Sequence, residues 1–104
     1  MINPNEIYKK LLDVGDDWAD KAYASDILEE TQKSVLSECM LMETGGVSER
    51  DMKARASERY LDHVYRMVAA KRELNKARVK YDSVKSWVEA VRTAESTKRA
   101  EMRL

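Results

Sequence analysis

The chain is poor in the residues that end or bend secondary structure: its 104 residues include three Gly, one Pro, one Cys and no Phe. A β-sandwich or an α/β domain needs more turn-forming residues than this, so both fold classes are excluded. A single Cys cannot form an internal disulfide, which favours a reducing compartment, the cytoplasm. No apolar run approaches the ~18 residues of a membrane span. The first residues also lack the basic and apolar segments of a signal peptide, so we expect no membrane association.

What the sequence does contain is charge, distributed unevenly. Charged residues make up 37% of the chain and hydrophobic residues 43%, a composition typical of long amphipathic helices. Residues 1–48 contain four Lys, no Arg and ten acidic residues, a net charge of −6. Residues 49–104 contain six Lys, nine Arg and nine acidic residues, a net charge of +6. The split indicates either two helices with complementary charges that pack together or a basic surface that binds a polyanion.

The acidic half predicts a first helical arm over residues of about 4–44. Asn3 is a candidate N-cap, Pro4 suits the first helical position, and Glu6 completes a capping box. Apolar residues then recur at helical spacing along one stripe: Ile7, Leu11, Val14, Trp18, Leu28, Val35, Cys39 and Met42. Lys21, Ser25 and Gln32 interrupt that stripe, and Gly15 lies within it. The arm is therefore either one helix or two pieces divided between Gly15 and Ser25.

The basic half predicts a second arm of about 49–102, after a turn at 45–48. Gly45 and Gly46 can close the first helix, and Ser48 with Asp51 has the spacing of a cap that opens the next. Apolar residues then follow a heptad pattern over about five repeats, which favours coiled-coil packing. One column holds Tyr60, Met67, Leu74, Tyr81 and Val88, and the other holds Ala56, His63, Ala70, Ala77, Val84 and Val91.

A short turn between two long helices makes them antiparallel. The sequence thus predicts an all-α fold, a single helical-hairpin domain over residues 1–104 with a very long second helix. With the turn centred near residue 46, Ile7 lies near Lys85 and Val35 lies near Ser57.

A two-helix hairpin leaves apolar residues uncovered, and such patches usually mark interfaces. We therefore expect a homo-oligomer, most simply a dimer that forms a four-helix bundle, and an additional protein partner. The residues expected at the oligomer interface are Leu36, Met40, Leu61, Val64, Val68 and Trp87.

Little in the sequence points to catalysis, a metal or a cofactor. His63 and Cys39 both lie on the apolar stripes, where they are more often core residues than ligands or catalytic groups. The hairpin places them about 15 Å apart along the axis, beyond hydrogen-bond reach. The aspartates around Gly15 lack the ordered spacing of a calcium loop. We expect no enzymatic activity, no metal site and no cofactor.

Nucleic acid is the alternative partner. The predicted pairing leaves residues from about Val91 onward beyond the first helix, and the basic residues there could contact phosphates beside a stacking ring. The candidate contacts are Trp87, Arg92, Lys98, Arg99 and Arg103, with Glu95 and Glu101 interleaved among them.

The last part of the sequence contains Trp87, an Arg92-Thr93 step, Arg99 and the terminal pair Arg103-Leu104. Over about eighteen residues this pattern resembles the C-terminal end of small helical proteins predicted in bacteriophage genomes. It implies a phage-encoded protein in the cytoplasm of a bacterial host. Some of those proteins are encoded near replication or recombination genes, which is consistent with the nucleic-acid alternative. The sequence as a whole predicts a self-associating interaction or scaffolding protein first, and an accessory nucleic-acid-binding protein second.

Overall fold

The computed structural model describes residues 3–103, which contain helices and no strand. Helix α1 spans Pro4–Glu30, α2 spans Gln32–Leu41, α3 spans Val47–Arg55 and α4 spans Glu58–Met102. The first two helices form one arm of the chain and the last two form the other. The predicted all-α class, with a hairpin-like order and a very long final helix, is confirmed. Leu104, which belongs to the phage-like ending, lies outside the described residues.

Asn3 caps α1 as predicted. Its side-chain Oδ1 accepts a hydrogen bond from the backbone N–H of Asn5 at 2.9 Å, and its carbonyl accepts one from Glu6 at 3.0 Å. These bonds satisfy backbone donors that have no partner inside the first turn, and Pro4 itself has no N–H to satisfy.

The first arm is interrupted at Thr31, and α1 runs unbroken through Gly15 and Ser25. The Thr31 hydroxyl donates to the carbonyl of Ile27 at 2.7 Å, and it also lies 3.3 Å from that of Leu28. The Leu28 carbonyl, which would accept from Gln32 in a continuous helix, instead accepts a hydrogen bond from His63 at 2.8 Å. A single Gly only weakens a helix, whereas carbonyls bonded to side chains compete directly with the helical ladder.

The turn between the arms depends on Gly45. Its φ of 113° is a conformation that residues with a side chain rarely adopt. Gly46, rather than the predicted Ser48, is the N-cap of α3, because its carbonyl accepts from the N–H of Arg50 at 2.9 Å. Ser48 therefore lies within the first turn of α3.

The second arm is two helices rather than the single one predicted. The Ser57 hydroxyl donates to the Ala54 carbonyl at 2.6 Å and accepts from the N–H of Tyr60 at 3.3 Å. Ser57 thus closes α3 and caps α4 with one side chain. Ala56, predicted on the buried stripe, is the C-cap of α3 and is exposed.

The described chain divides into two compact units. The central unit is Asp20–Leu74, and the terminal unit joins the residues up to Ala19 with those from Asn75 onward.

The core of the central unit is a cluster of Cys39, Ala54 and Tyr60. The Gln32 amide donates to the Tyr60 hydroxyl at 3.1 Å, and His63 contacts the Leu28 carbonyl as described above. These contacts agree with the predicted antiparallel register in this unit. Exposed ion pairs, of which Arg59 with Glu38 is one, add only about 0–1 kcal/mol each.

In the terminal unit, the rings of Trp18 and Tyr81 lie 5.1 Å apart between centroids and are tilted by 40°. Lys10 Nζ lies 5.6 Å from the centre of the Trp87 ring. The arms are again antiparallel, but the predicted register was wrong here. If Ile7 lay near Lys85, Lys10 would lie near residue 82, more than one turn from the Trp87 that it actually contacts. The cause is aromatic packing, since Tyr81 fits its ring against Trp18 and beside the small Gly15.

Candidate interaction surfaces

The predicted apolar stripes are the faces that the two arms bury. In α4 the buried positions are Tyr60, His63, Ala77 and Val88, all on the predicted columns. In the first arm the stripe is half-buried or buried from Ile7 to Cys39. The exception is Met42, which is 81% exposed because α2 ends at Leu41 and the chain turns away there.

A second set of apolar side chains remains on the outside of the central unit. Tyr23 and Ile27 lie four residues apart on α1, and Leu61, Tyr65 and Val68 follow one line of α4. Further exposed apolar residues surround the turn: Leu41, Met42, Val47 and Met52.

The six residues predicted at an oligomer interface therefore divide into two groups. Leu36, Met40 and Val64 pack against the core cluster and are half-buried within the central unit, because they lie beside the stripe and not opposite it. The exposed members are Leu61, Val68 and Trp87, and Val68 has 64% of its surface accessible.

The terminal unit carries an open cavity of about 240 Å³, lined by Lys10, Ser83, Val84 and Trp87. Trp87 retains 41% of its surface, although the Lys10 ammonium covers part of its ring. This contact resembles a cation–π interaction, which is worth about 0.5–1 kcal/mol at an exposed site. Tyr8 and Leu12 are exposed on the neighbouring α1.

The end of α4 has no cover. Every described side chain from Arg92 to Arg103 is exposed. Within residues 3–103, the salt bridges involve none of the four cations predicted there, namely Arg92, Lys98, Arg99 and Arg103. This segment is helical as far as Met102, so its charges have definite positions on the helix.

His63 and Cys39 occupy separate core positions. Cys39 is 4% exposed and packs in the core cluster, as expected for a small apolar residue. His63 Nε2 lies 2.8 Å from the Leu28 carbonyl, so this nitrogen carries the proton and donates. The sequence placed both residues in the core but missed the role of His63 in the helix interruption.

The polar residues that interrupt the first stripe face the same interior. Ser25 is buried and Gln32 is half-buried, with its amide bonded to Tyr60. Their positions on the apolar stripe could have predicted buried hydrogen bonds, since polar residues at core positions need a hydrogen-bond partner. Arg50 was also missed, and its Nε is buried without a partner among the described residues.

Within residues 3–103, no group of three or more His, Cys, Asp or Glu side chains is arranged to hold a metal ion. In the same range, no helix combines the length and apolar character that crossing a bilayer requires.

Comparisons of the chain with protein-family models, with curated proteins and with solved structures give no match.

Proposed function

We propose that this chain is a non-enzymatic helical protein that binds a second copy of itself and serves as an interaction or scaffolding module. The observation that carries the proposal is the amount of surface left uncovered. The chain has 8270 Å² of accessible surface at a mass of 12.0 kDa. Folded monomers of that mass expose about 6,000 Å².

The surplus is therefore about 2,300 Å². A standard protein–protein interface removes about 800 Å² from each partner, so the surplus is large enough for a stable dimer or for a dimer with a further partner. No large side chain in the described chain is fully buried, which indicates a thin core within one copy. The exposed apolar residues described above supply surface for such contacts.

The resemblance of the C-terminal residues supports a phage-encoded protein of the host cytoplasm, which is part of the proposal.

Sedimentation equilibrium from about 1 to about 100 µM tests self-association, because mass action makes the dimer fraction depend on concentration. We expect a mass of twice 12.0 kDa, or a higher multiple, at the upper end. Val68→Asp should weaken the association through the apolar surface of the central unit, and Ser34→Asp, at an exposed polar position on α2, is the control. A single monomeric mass across the range would refute the proposal.

A second candidate is nucleic-acid binding, favoured by the exposed cations of Arg92–Arg103, none of which forms an ion pair within the described chain. A fluorescent single-stranded oligonucleotide should then bind at low salt and dissociate as salt rises. Arg92→Ala, Arg99→Ala and Arg103→Ala together should abolish binding. If the fluorescence anisotropy of the oligonucleotide does not change up to micromolar protein concentrations, this candidate is excluded.

A further inference from the structure

The acidic and basic residues of the terminal unit repeat at matching intervals. On α1, Glu6, Asp13 and Asp17 follow one another at steps of seven and four residues. On α4, Arg92, Arg99 and Arg103 follow at the same two steps. Steps of seven and four return to one side of an α-helix, so each set forms a line along its helix.

Neither line is neutralised within its own copy. In the part of the chain that the structure describes, the ion pairs involve none of the six residues. Glu6, Asp13 and the three arginines are exposed, and Asp17 is half-buried. The antiparallel arms of one copy cannot bring the two lines into register, because α1 and α4 run in opposite directions within the terminal unit.

We propose that the segment Arg92–Arg103 of one copy lies parallel to residues 6–17 of α1 in a second copy, with the arginine line beside the carboxylate line. This register places Arg92 beside Glu6, Arg99 beside Asp13 and Arg103 beside Asp17. It places the uncharged Ser96 next to Lys10, which avoids a repulsive contact. The inference rests on the self-association proposed above and specifies one contact of it, made by the terminal unit; the exposed apolar residues of the central unit lie outside this contact.

The arrangement is compatible with a symmetric dimer. Because α4 of the first copy runs parallel to α1 of the second, the two copies are antiparallel, and a two-fold axis repeats the same contact on the other side. Each exposed segment then covers the side of the partner's α1 that carries Lys10, next to the cavity at Trp87. The charges set the orientation and the register of the contact.

A charge-swap experiment in the full-length chain tests the geometry. One variant carries Arg92→Glu, Arg99→Glu and Arg103→Glu, and the other carries Glu6→Lys, Asp13→Lys and Asp17→Lys. Each alone should show a dimer Kd raised by more than about tenfold in sedimentation equilibrium. An equimolar mixture should recover a heterodimer with a Kd within about threefold of the unmodified protein.

The control variant carries Lys33→Glu, Arg72→Glu and Arg78→Glu. It makes the same change in net charge at exposed positions outside the proposed contact. Its Kd should stay within about threefold of the unmodified value. A control that weakens as much as the arginine variant would mean that net charge, not register, is responsible, and would overturn the inference.

Two other outcomes also overturn it. An arginine variant that dimerises with unchanged Kd would refute this geometry and leave self-association intact, whereas a monomeric unmodified protein would refute both. Circular dichroism of each variant alone checks folding. The mixture remains decisive if one variant is less stable, because the heterodimer forms only if the swapped charges of the two variants pair with each other.

Discussion

The three glycines differ enough in their surroundings that substitution of two of them by Ala should shift stability in opposite directions. Gly15 lies inside the unbroken helix α1, and the only Gly with a positive φ in the described chain is Gly45. A Cβ at position 15 would lie 3.7 Å from a ring carbon of Tyr81, an ordinary van der Waals contact. Gly15→Ala should therefore stabilise the fold by about 1 kcal/mol, since Gly in a helix interior is that much less favourable than Ala.

Thermal and urea unfolding followed by circular dichroism measure the effect. For a domain of this size, 1 kcal/mol corresponds to a rise in Tm of about 4–8 °C. With a urea m-value of about 1–2 kcal/mol/M, the midpoint should rise by about 0.5–1 M. Both proteins must be compared at one concentration, because self-association makes apparent stability depend on concentration.

Gly45→Ala is the opposite control. Position 45 has a φ of 113°, and a Cβ there would collide with the side chain of Glu49. The substitution should cost about 1–3 kcal/mol and lower Tm. A Gly15→Ala protein that melts below the unmodified one would refute the reasoning, since it would mean that Tyr81 packs too closely on α1 to accept a methyl group.

Three further outcomes follow from single side chains. His63→Ala should destabilise the fold by about 1–3 kcal/mol by removing the donor to the Leu28 carbonyl; unchanged urea unfolding would show that the bond contributes nothing. Ser57→Ala removes the cap of α4 and should cost about 1 kcal/mol in the same assay, whereas the exposed Ser34→Ala should have little effect. Cys39, which is 4% exposed, should react with a maleimide far more slowly in the folded protein than in urea, and equal rates would contradict its burial.

Local patterns in the sequence predicted much of the fold. The helical caps, the Gly turn and the buried stripes all depend on residues within a few positions of one another, and the Asn3 cap, the turn at Gly45 and the buried column of α4 are present as expected. Two of the errors originate in contacts between distant segments, whereas the break at Ser57 depends on hydrogen bonds with Ala54 and Tyr60, each three residues away. The break at Thr31 involves His63, and the register of the terminal unit depends on how Trp18 packs on Tyr81.

The candidate surfaces follow the same division. Helical spacing alone identified Leu61, Val68 and Trp87 as residues off the buried stripe, and they are exposed. The same reasoning did not separate them from Leu36, Met40 and Val64, which the core cluster half-covers. These three are half-covered because they pack against the cluster of Cys39, Ala54 and Tyr60, a contact between the arms that helical spacing within one arm does not show.

The sequence by itself determined that this chain is all helical, where its arms meet and which face of each arm is buried, because helical periodicity and turn chemistry act over short distances. The tertiary structure alone decided how the arms are aligned and which of the predicted cations of α4 form no ion pair within the described chain. Those features arise when side chains far apart in sequence compete for the same space and the same hydrogen bonds. The exposed end of α4 combines both kinds of information, since the sequence predicts that it extends beyond the first arm and the fold shows that its side chains are exposed.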